Sequence, residues 1–97
     1  MAKLTDAELE GFLSSREGWT SQGDAIHKGF AFPGFRAAIA FVNRVAERAE
    51  AASHHPDIEI HYNRVKISLS THDAGGVTEK DVAAAGEIDA AAEIDGD

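Results

Sequence analysis

The chain contains no cysteine, which excludes disulfides, thiolate metal sites and cysteine nucleophiles and fits a reducing compartment. Basic residues are few: nine Lys and Arg stand against 17 Asp and Glu, giving a net charge of −8. They are also scattered, so no basic cluster can face a run of phosphates, and direct nucleic-acid binding is not expected. The acidic excess mainly favours solubility. No apolar run approaches the roughly 18 residues that a membrane span needs. The first twelve residues lack the basic segment and apolar run of a signal peptide. A cytoplasmic location is therefore the expectation. With 97 residues the chain has room for one domain, 1–97, and one modest core. Such a chain buries about 60–70% of its unfolded surface, so an interface between copies would add useful burial.

Prolines are only two, and both fall at boundaries. Thr5-Asp6-Ala7-Glu8 has the form of a capping box and opens a first helix to about Ser15, with Leu9, Phe12 and Leu13 on one face. From Trp19 to Phe32 the pattern is a hairpin turning at Gly23-Asp24, and Lys28 interrupts an apolar face of Ile26, Phe30 and Phe32. His27 reads as an ordinary surface residue and Trp19 as a core residue. After Pro33, a long helix spans about Gly34 to Ala52, its stripe formed by Phe35, Ile39, Val42, Ala46, Ala49 and Ala52. Phe41 and Val45 broaden that stripe, so a second packing partner is expected. Pro56 disfavours helical geometry at His55, which stops the helix near Ser53. Asp73-Ala74-Gly75-Gly76 reads as a flexible connector. Thr78 and Asp81 cap a last helix whose apolar face is Val82, Ala85, Ile88 and Ala92, and the acidic residues from Glu93 to Asp97 are expected to fray. The order α-β-β-α-β-β-α indicates an α+β fold: a four-stranded antiparallel sheet with helices packed on one face.

The stretch Ser53–Gly76 holds four of the five histidines. A two-residue turn at Asn63-Arg64 would pair Ile60 with Ile67, Ile58 with Leu69 and His55 with His72. The strands then have an apolar face, from Ile58 and Ile60 to Ile67 and Leu69, and a polar face with His55 and His72 at one end. Two imidazoles facing each other across a ladder resist simultaneous protonation and form an acid and base pair. Three other readings of His54, His55 and His72 remain. With Asp57 they are acceptable zinc or iron ligands, although neighbours in extended backbone point in opposite directions. They can be structural, with His54 capping the long helix. Or they can activate Ser68 or Ser70 as a nucleophile, for which no oxyanion-hole motif is present.

At these residues the chain resembles the pterin-4a-carbinolamine dehydratases. The resemblance rests on Glu50-x-x-Ser53-His54-His55-Pro56, Tyr62-Asn63-x-Val65, Leu69-Ser70-Thr71-His72-Asp73 and Thr78-Glu79-Lys80-Asp81, and Gly18-Trp19 and Asp24-Ala25-Ile26 extend it to nearly the whole chain. It implies dehydration of 4a-hydroxytetrahydropterin to quinonoid dihydropterin, with no metal or organic cofactor, in the recycling of pterin used by aromatic amino acid hydroxylases. It implies that His54, His55 and His72 surround the pterin as catalytic residues; among them His54 or His72 is expected as the acid and His55 as the base. Ser53, Pro56, Ser70, Thr71, Asp73, Trp19, Glu50 and Asp81 are implied to hold substrate. Members are homodimers or homotetramers, and some animal members bind a homeodomain transcription factor as a dimerisation cofactor. A non-catalytic binding or dimerisation module that keeps the fold is the alternative. Animal members carry an acidic residue at Ser53, a tryptophan at Ile58, a glutamate at Asp73 and a cysteine at Ala74.

Overall fold

Residues 2–93 are described by the computed structural model. Helix α1 (Asp6–Ser15) begins at the Thr5/Glu8 capping box, in which each side chain accepts from the other residue's backbone N–H. Strands β1 (Thr20–Gln22) and β2 (Ala25–Ala31) follow, then helix α2 (Phe35–Ala52), strands β3 (Asp57–His61) and β4 (Arg64–Leu69), a 3₁₀ turn (His72–Ala74) and helix α3 (Glu79–Ala92). The four strands form one antiparallel sheet in the order β1-β2-β4-β3. The α+β architecture is therefore the expected one, with the Gly23-Asp24 turn where the sequence puts it. The frayed end expected beyond Glu93 lies outside the described residues.

The β3–β4 register differs from the expectation. Ile60 faces Val65, Ile58 faces Ile67 and Asp57 faces Ser68, so the turn is Tyr62-Asn63, not Asn63-Arg64. The cause lies in the neighbouring strand. Asn63 accepts the Phe32 backbone N–H through its carbonyl and donates its side-chain Nδ2 to the Phe32 carbonyl at 2.9 Å, which fixes Asn63 beside β2. Tyr62 takes up the turn in the left-handed region, with φ 54°. The shift moves each partner by two residues and therefore keeps every side chain on its expected face. It does remove the pairing of His55 with His72: β3 starts only at Asp57, and His72 lies in the 3₁₀ turn.

Core and helix side of the sheet meet through Ile26, Val65, Ile67 and Leu69, all buried, against Phe41 and Val45 of α2 and Ala85, Ile88 and Ala91 of α3. The core face of α2 is Ala38, Phe41, Val45 and Ala49, whereas Phe35, Ala46 and Ala52 are exposed. The core face is thus centred on Phe41 and Val45, the residues expected only to broaden the stripe, and not on Phe35, Ala46 and Ala52. The Phe41 ring decides the rotation, because it fits between Phe30 and Phe32 with centroids 4.9 Å from each. Phe35 is left outside, stacked on Tyr62 at 6.5 Å.

Lys28, which broke the apolar pattern of β2, is explained by Asp89. This carboxylate accepts from Lys28 Nζ at 2.7 Å, from Arg16 Nη1 at 3.1 Å and from the buried Trp19 indole at 3.1 Å. One polar hub thus joins α1, β2 and α3 at the edge of the core. Burial pushes the Asp89 carboxyl up, but its bonds to Lys28, Trp19 and Arg16, with the Lys28 charge, outweigh this and hold it below the ordinary aspartate value.

Candidate active site

The site lies where α2 and β4 end and α3 begins. Helix α2 stops in a Schellman arrangement: Ser53 adopts φ 53° and ψ 40°, its N–H donates to the Glu50 carbonyl, and the His54 N–H donates to the Ala49 carbonyl. Beyond this cap Pro56 keeps the backbone from turning helical again. The neighbours His54 and His55 consequently diverge. The His54 side chain is 12% exposed and points to α3, where its Nε2 meets Asp81 Oδ1 at 2.6 Å. The His55 side chain is 61% exposed, and its Nε2 meets Glu50 Oε2 at 2.5 Å one turn back on α2.

A serine in the left-handed region carries the steric cost of its Cβ, about 1–2 kcal/mol, against the backbone entropy that glycine loses on folding, about 0.5–1 kcal/mol. Ser53→Gly is therefore expected to stabilise the fold by about 0.5–1 kcal/mol and to raise Tm by about 2–6 °C. Thermal unfolding checks this, and an unchanged or lower Tm would show that the Ser53 side chain contributes more than its conformation costs.

Asp81 is completely buried. The capping box at the start of α3 forms as the sequence indicates, with Thr78 N–H donating to Asp81 Oδ2 at 2.9 Å. The same oxygen accepts from Thr71 Oγ1 at 2.8 Å, and Thr71 Oγ1 lies 2.8 Å from Thr78 Oγ1. Thr71 is buried directly before the exposed 3₁₀ turn that carries His72. That turn replaces the expected flexible connector. It is closed by Ala74 and Gly75 N–H groups donating to the Thr71 carbonyl, by the Thr71–Gly76 bridge, and by Gly75 at φ 76°.

The structure therefore ties His54, Asp81, Thr71 and Thr78 into one network, with His72 one residue from it and the His55–Glu50 pair on the adjoining surface. Ser53 and Asp73 are exposed, and Pro56 is half-buried. Ser70 points the other way and donates to the Asp24 carbonyl at 2.7 Å. Trp19 sits with Asp89, two helical turns or about 12 Å along α3 from Asp81. Thr78, expected only as a cap, is the further member of the network; the signal is in its box, whose carboxylate has a second oxygen to offer. His27, expected as an ordinary surface residue, bonds Ser68 Oγ through Nδ1 at 2.7 Å.

A cleft of about 170 Å³ opens beside His54 between α2 and α3, walled by Val45, Ala49, Ala84 and Ile88, with Arg48 and Lys80 among its charges. A larger open depression of about 630 Å³ lies over the outer face of the sheet, beside His27, His61, Arg64 and Lys66. The smaller cleft is the better candidate, because it alone of the two touches the histidine network. Among the described residues no three His, Asp or Glu side chains converge as metal ligands. Nor is any described helix long and apolar enough to cross a membrane.

This fold is shared with a crystal structure from Brucella melitensis titled a transcriptional coactivator/pterin dehydratase, with a TM-score of 0.90 and 37% identity over 93% of this chain and 98% of that one. The family model described as pterin 4 alpha carbinolamine dehydratase matches residues 2–91, and the chain belongs to that family. A protein of Thermomicrobium roseum provisionally named a pterin-4-alpha-carbinolamine dehydratase is 54% identical over 91% of this chain and 95% of its own length. A Roseiflexus castenholzii protein with the same provisional name is 57% identical over 91% of this chain and 95% of its own. A pterin dehydratase-like protein identified as a RuBisCO assembly factor in the alpha-carboxysome is more distant, with a TM-score of 0.65 and 26% identity over 77% of this chain and 87% of that one.

Proposed function

We propose that this protein is a hydro-lyase that converts 4a-hydroxytetrahydropterin to quinonoid dihydropterin and water. The C4a–O bond breaks and the oxygen leaves as water after receiving a proton. The N5 proton is given up, and its bonding electrons form the C4a=N5 double bond. One histidine in its protonated form serves the leaving oxygen while a neutral one accepts from N5, and the proton balance closes with no redox partner. His54, His55 and His72 share these roles in this reading, and Glu50, Ser53, Pro56 and Asp73, their neighbours in sequence, are its substrate contacts. The observation that carries this reading is the His54–Asp81 pair beside a small cleft, with a second His–carboxylate pair, His55–Glu50, on the adjoining surface. Positioned acid–base groups of this kind are worth about 10²–10⁴-fold in rate. The test is stopped-flow dehydration of synthetic 4a-hydroxytetrahydropterin. Acceleration over buffer at catalytic protein concentration is expected, and a rate equal to the buffer rate would overturn the proposal.

A non-catalytic binding module is the second reading, favoured by the likeness to the carboxysomal assembly factor. It requires a stable protein partner whose capture is indifferent to His54 and His72. In either case the exposed Phe35, Ile60 and Tyr62 beside the free edge of β3 support self-association into a dimer or tetramer.

A further inference from the structure

We propose that Asp81 is a positioning residue and not a substrate contact: it fixes the proton of neutral His54 on Nε2, so that Nδ1 is the atom that exchanges protons with the substrate. The inference rests on the dehydratase reading of the site and adds a specific atom and a specific tautomer to it.

Both oxygens of Asp81 are spoken for inside the protein, and the residue has no exposed surface. Oδ2 receives the Thr78 backbone N–H and the Thr71 hydroxyl. Each threonine hydroxyl has a single proton, so with Thr71 donating to Asp81, the contact between the hydroxyls runs from Thr78 Oγ1 to Thr71 Oγ1. Thr78 Oγ1 in turn accepts the Lys80 backbone N–H at 3.2 Å. The hydroxyl donors thus run in one direction, from Thr78 to Thr71 and from Thr71 to the carboxylate, and no buried side-chain polar atom of the described residues is left unsatisfied. An acceptor-only carboxylate requires a donor at its remaining oxygen, and the group there is His54 Nε2 at 2.6 Å. A neutral imidazole has one N–H, so Nδ1 carries the lone pair. No described side chain or backbone group bonds Nδ1, and the ring lines the cleft between α2 and α3.

The same carboxylate links two parts of the site. Through Thr71 it fastens the residue before His72, and through Thr78 it starts α3. His54 arrives from the end of α2 and His72 from the end of β4, and Asp81 is the group to which both segments are bonded. Such an arrangement serves orientation, which acid–base chemistry needs within a fraction of an ångström.

Asp81→Asn is the diagnostic change because it keeps the volume. The Asn carbonyl still accepts from Thr71 and Thr78, but its amide nitrogen donates to His54 Nε2 and so moves the neutral ring's proton to Nδ1. Two measurements are combined: ¹⁵N NMR shifts of the His54 ring, and kcat and KM for dehydration. In the wild type, at a pH where the ring carries a single proton, that proton is expected on Nε2 with Nδ1 bare. In D81N the tautomer should invert, and kcat should fall by about 100-fold or more with KM within about threefold. A neutral wild-type ring whose single proton sits on Nδ1 would overturn the inference, and this measurement needs no variant to fold. A folded D81N with unchanged kcat, or with raised KM and unchanged kcat as a lost substrate contact would give, would overturn it too. A wild type without dehydratase activity instead sinks the proposed function, and the ring tautomer then decides the positioning role by itself.

Discussion

Replacing His54 or His72 is expected to lower kcat for pterin dehydration by about 10²–10⁴-fold, the usual worth of a positioned acid or base. The two substitutions should differ in their effect on the fold. His72 is exposed on the 3₁₀ turn, so His72→Ala should change stability by no more than about 0.5 kcal/mol. His54→Ala strips Asp81 Oδ1 of its donor within the protein, and an unpaired buried acceptor costs about 1–3 kcal/mol. His54→Gln separates the two losses, because its side-chain amide can donate to Asp81 but cannot exchange a proton near neutral pH. The expected pattern is low kcat in all three variants and reduced Tm in His54→Ala alone. If His54→Gln and His72→Ala both keep kcat within threefold of the wild type, neither residue is an acid or base of the reaction.

Asp89→Ala is expected to destabilise the protein by about 2–4 kcal/mol, since breaking a buried charge network leaves its remaining members unpaired. The figure is set below that of a fully buried pair because Arg16 and Lys28 retain 42% and 20% of their side-chain exposure and can rehydrate. Trp19 cannot, because it is buried with its indole N–H aimed at the carboxylate. The pH dependence follows from the direction of the Asp89 shift. Its carboxyl titrates lower in the folded protein than in the unfolded chain, so the unfolded chain takes up the proton first as pH falls. The stabilisation is complete above the ordinary aspartate value and is lost as pH drops from there through the folded value. Urea unfolding of wild type and Asp89→Asn as a function of pH measures it. The gap between the two should be constant near neutrality and close in the acid range; a gap that widened on acidification would reverse the sign and exclude the network as its source.

Local rules were enough for the two capping boxes, the end of α2 and the first hairpin, because each depends on residues close in sequence. The failures all required knowledge of a third element. The turn at Tyr62-Asn63 is set by Phe32, some thirty residues earlier, and a shift of two residues is invisible to a pattern that repeats every two. The rotation of α2 is set by the rings of Phe30 and Phe32. Lys28 looked like a fault in an apolar face until Asp89, 61 residues away, supplied its partner. For the site, His-His-Pro and Thr-His identify the residue types, but their grouping does not follow from strand pairing. His54 and Thr71 meet through Asp81, a long-range contact that no spacing within the histidine segment could reveal.

The position of α3 has a consequence for uniqueness of packing. Its core contacts are largely small side chains, with Ala85 and Ala91 fully buried and Ile88 nearly so. An alanine-lined surface can slide or rotate against its neighbours at little cost, because one methyl group resembles the next. Asp81 and Asp89 remove that freedom. Displacing the helix by one residue would drag both carboxylates off their donors and bring Glu87 or Asp89 to the place of Ile88, while Ala85 and Ala91 would give way to alanine or glycine. The two aspartates therefore act as dowels, joining Ile88 in defining a single seating for a helix whose alanines alone would accept several. Asp89, which touches none of the three histidines through any described bond, thus fixes the same helix that carries Asp81, about 12 Å along it.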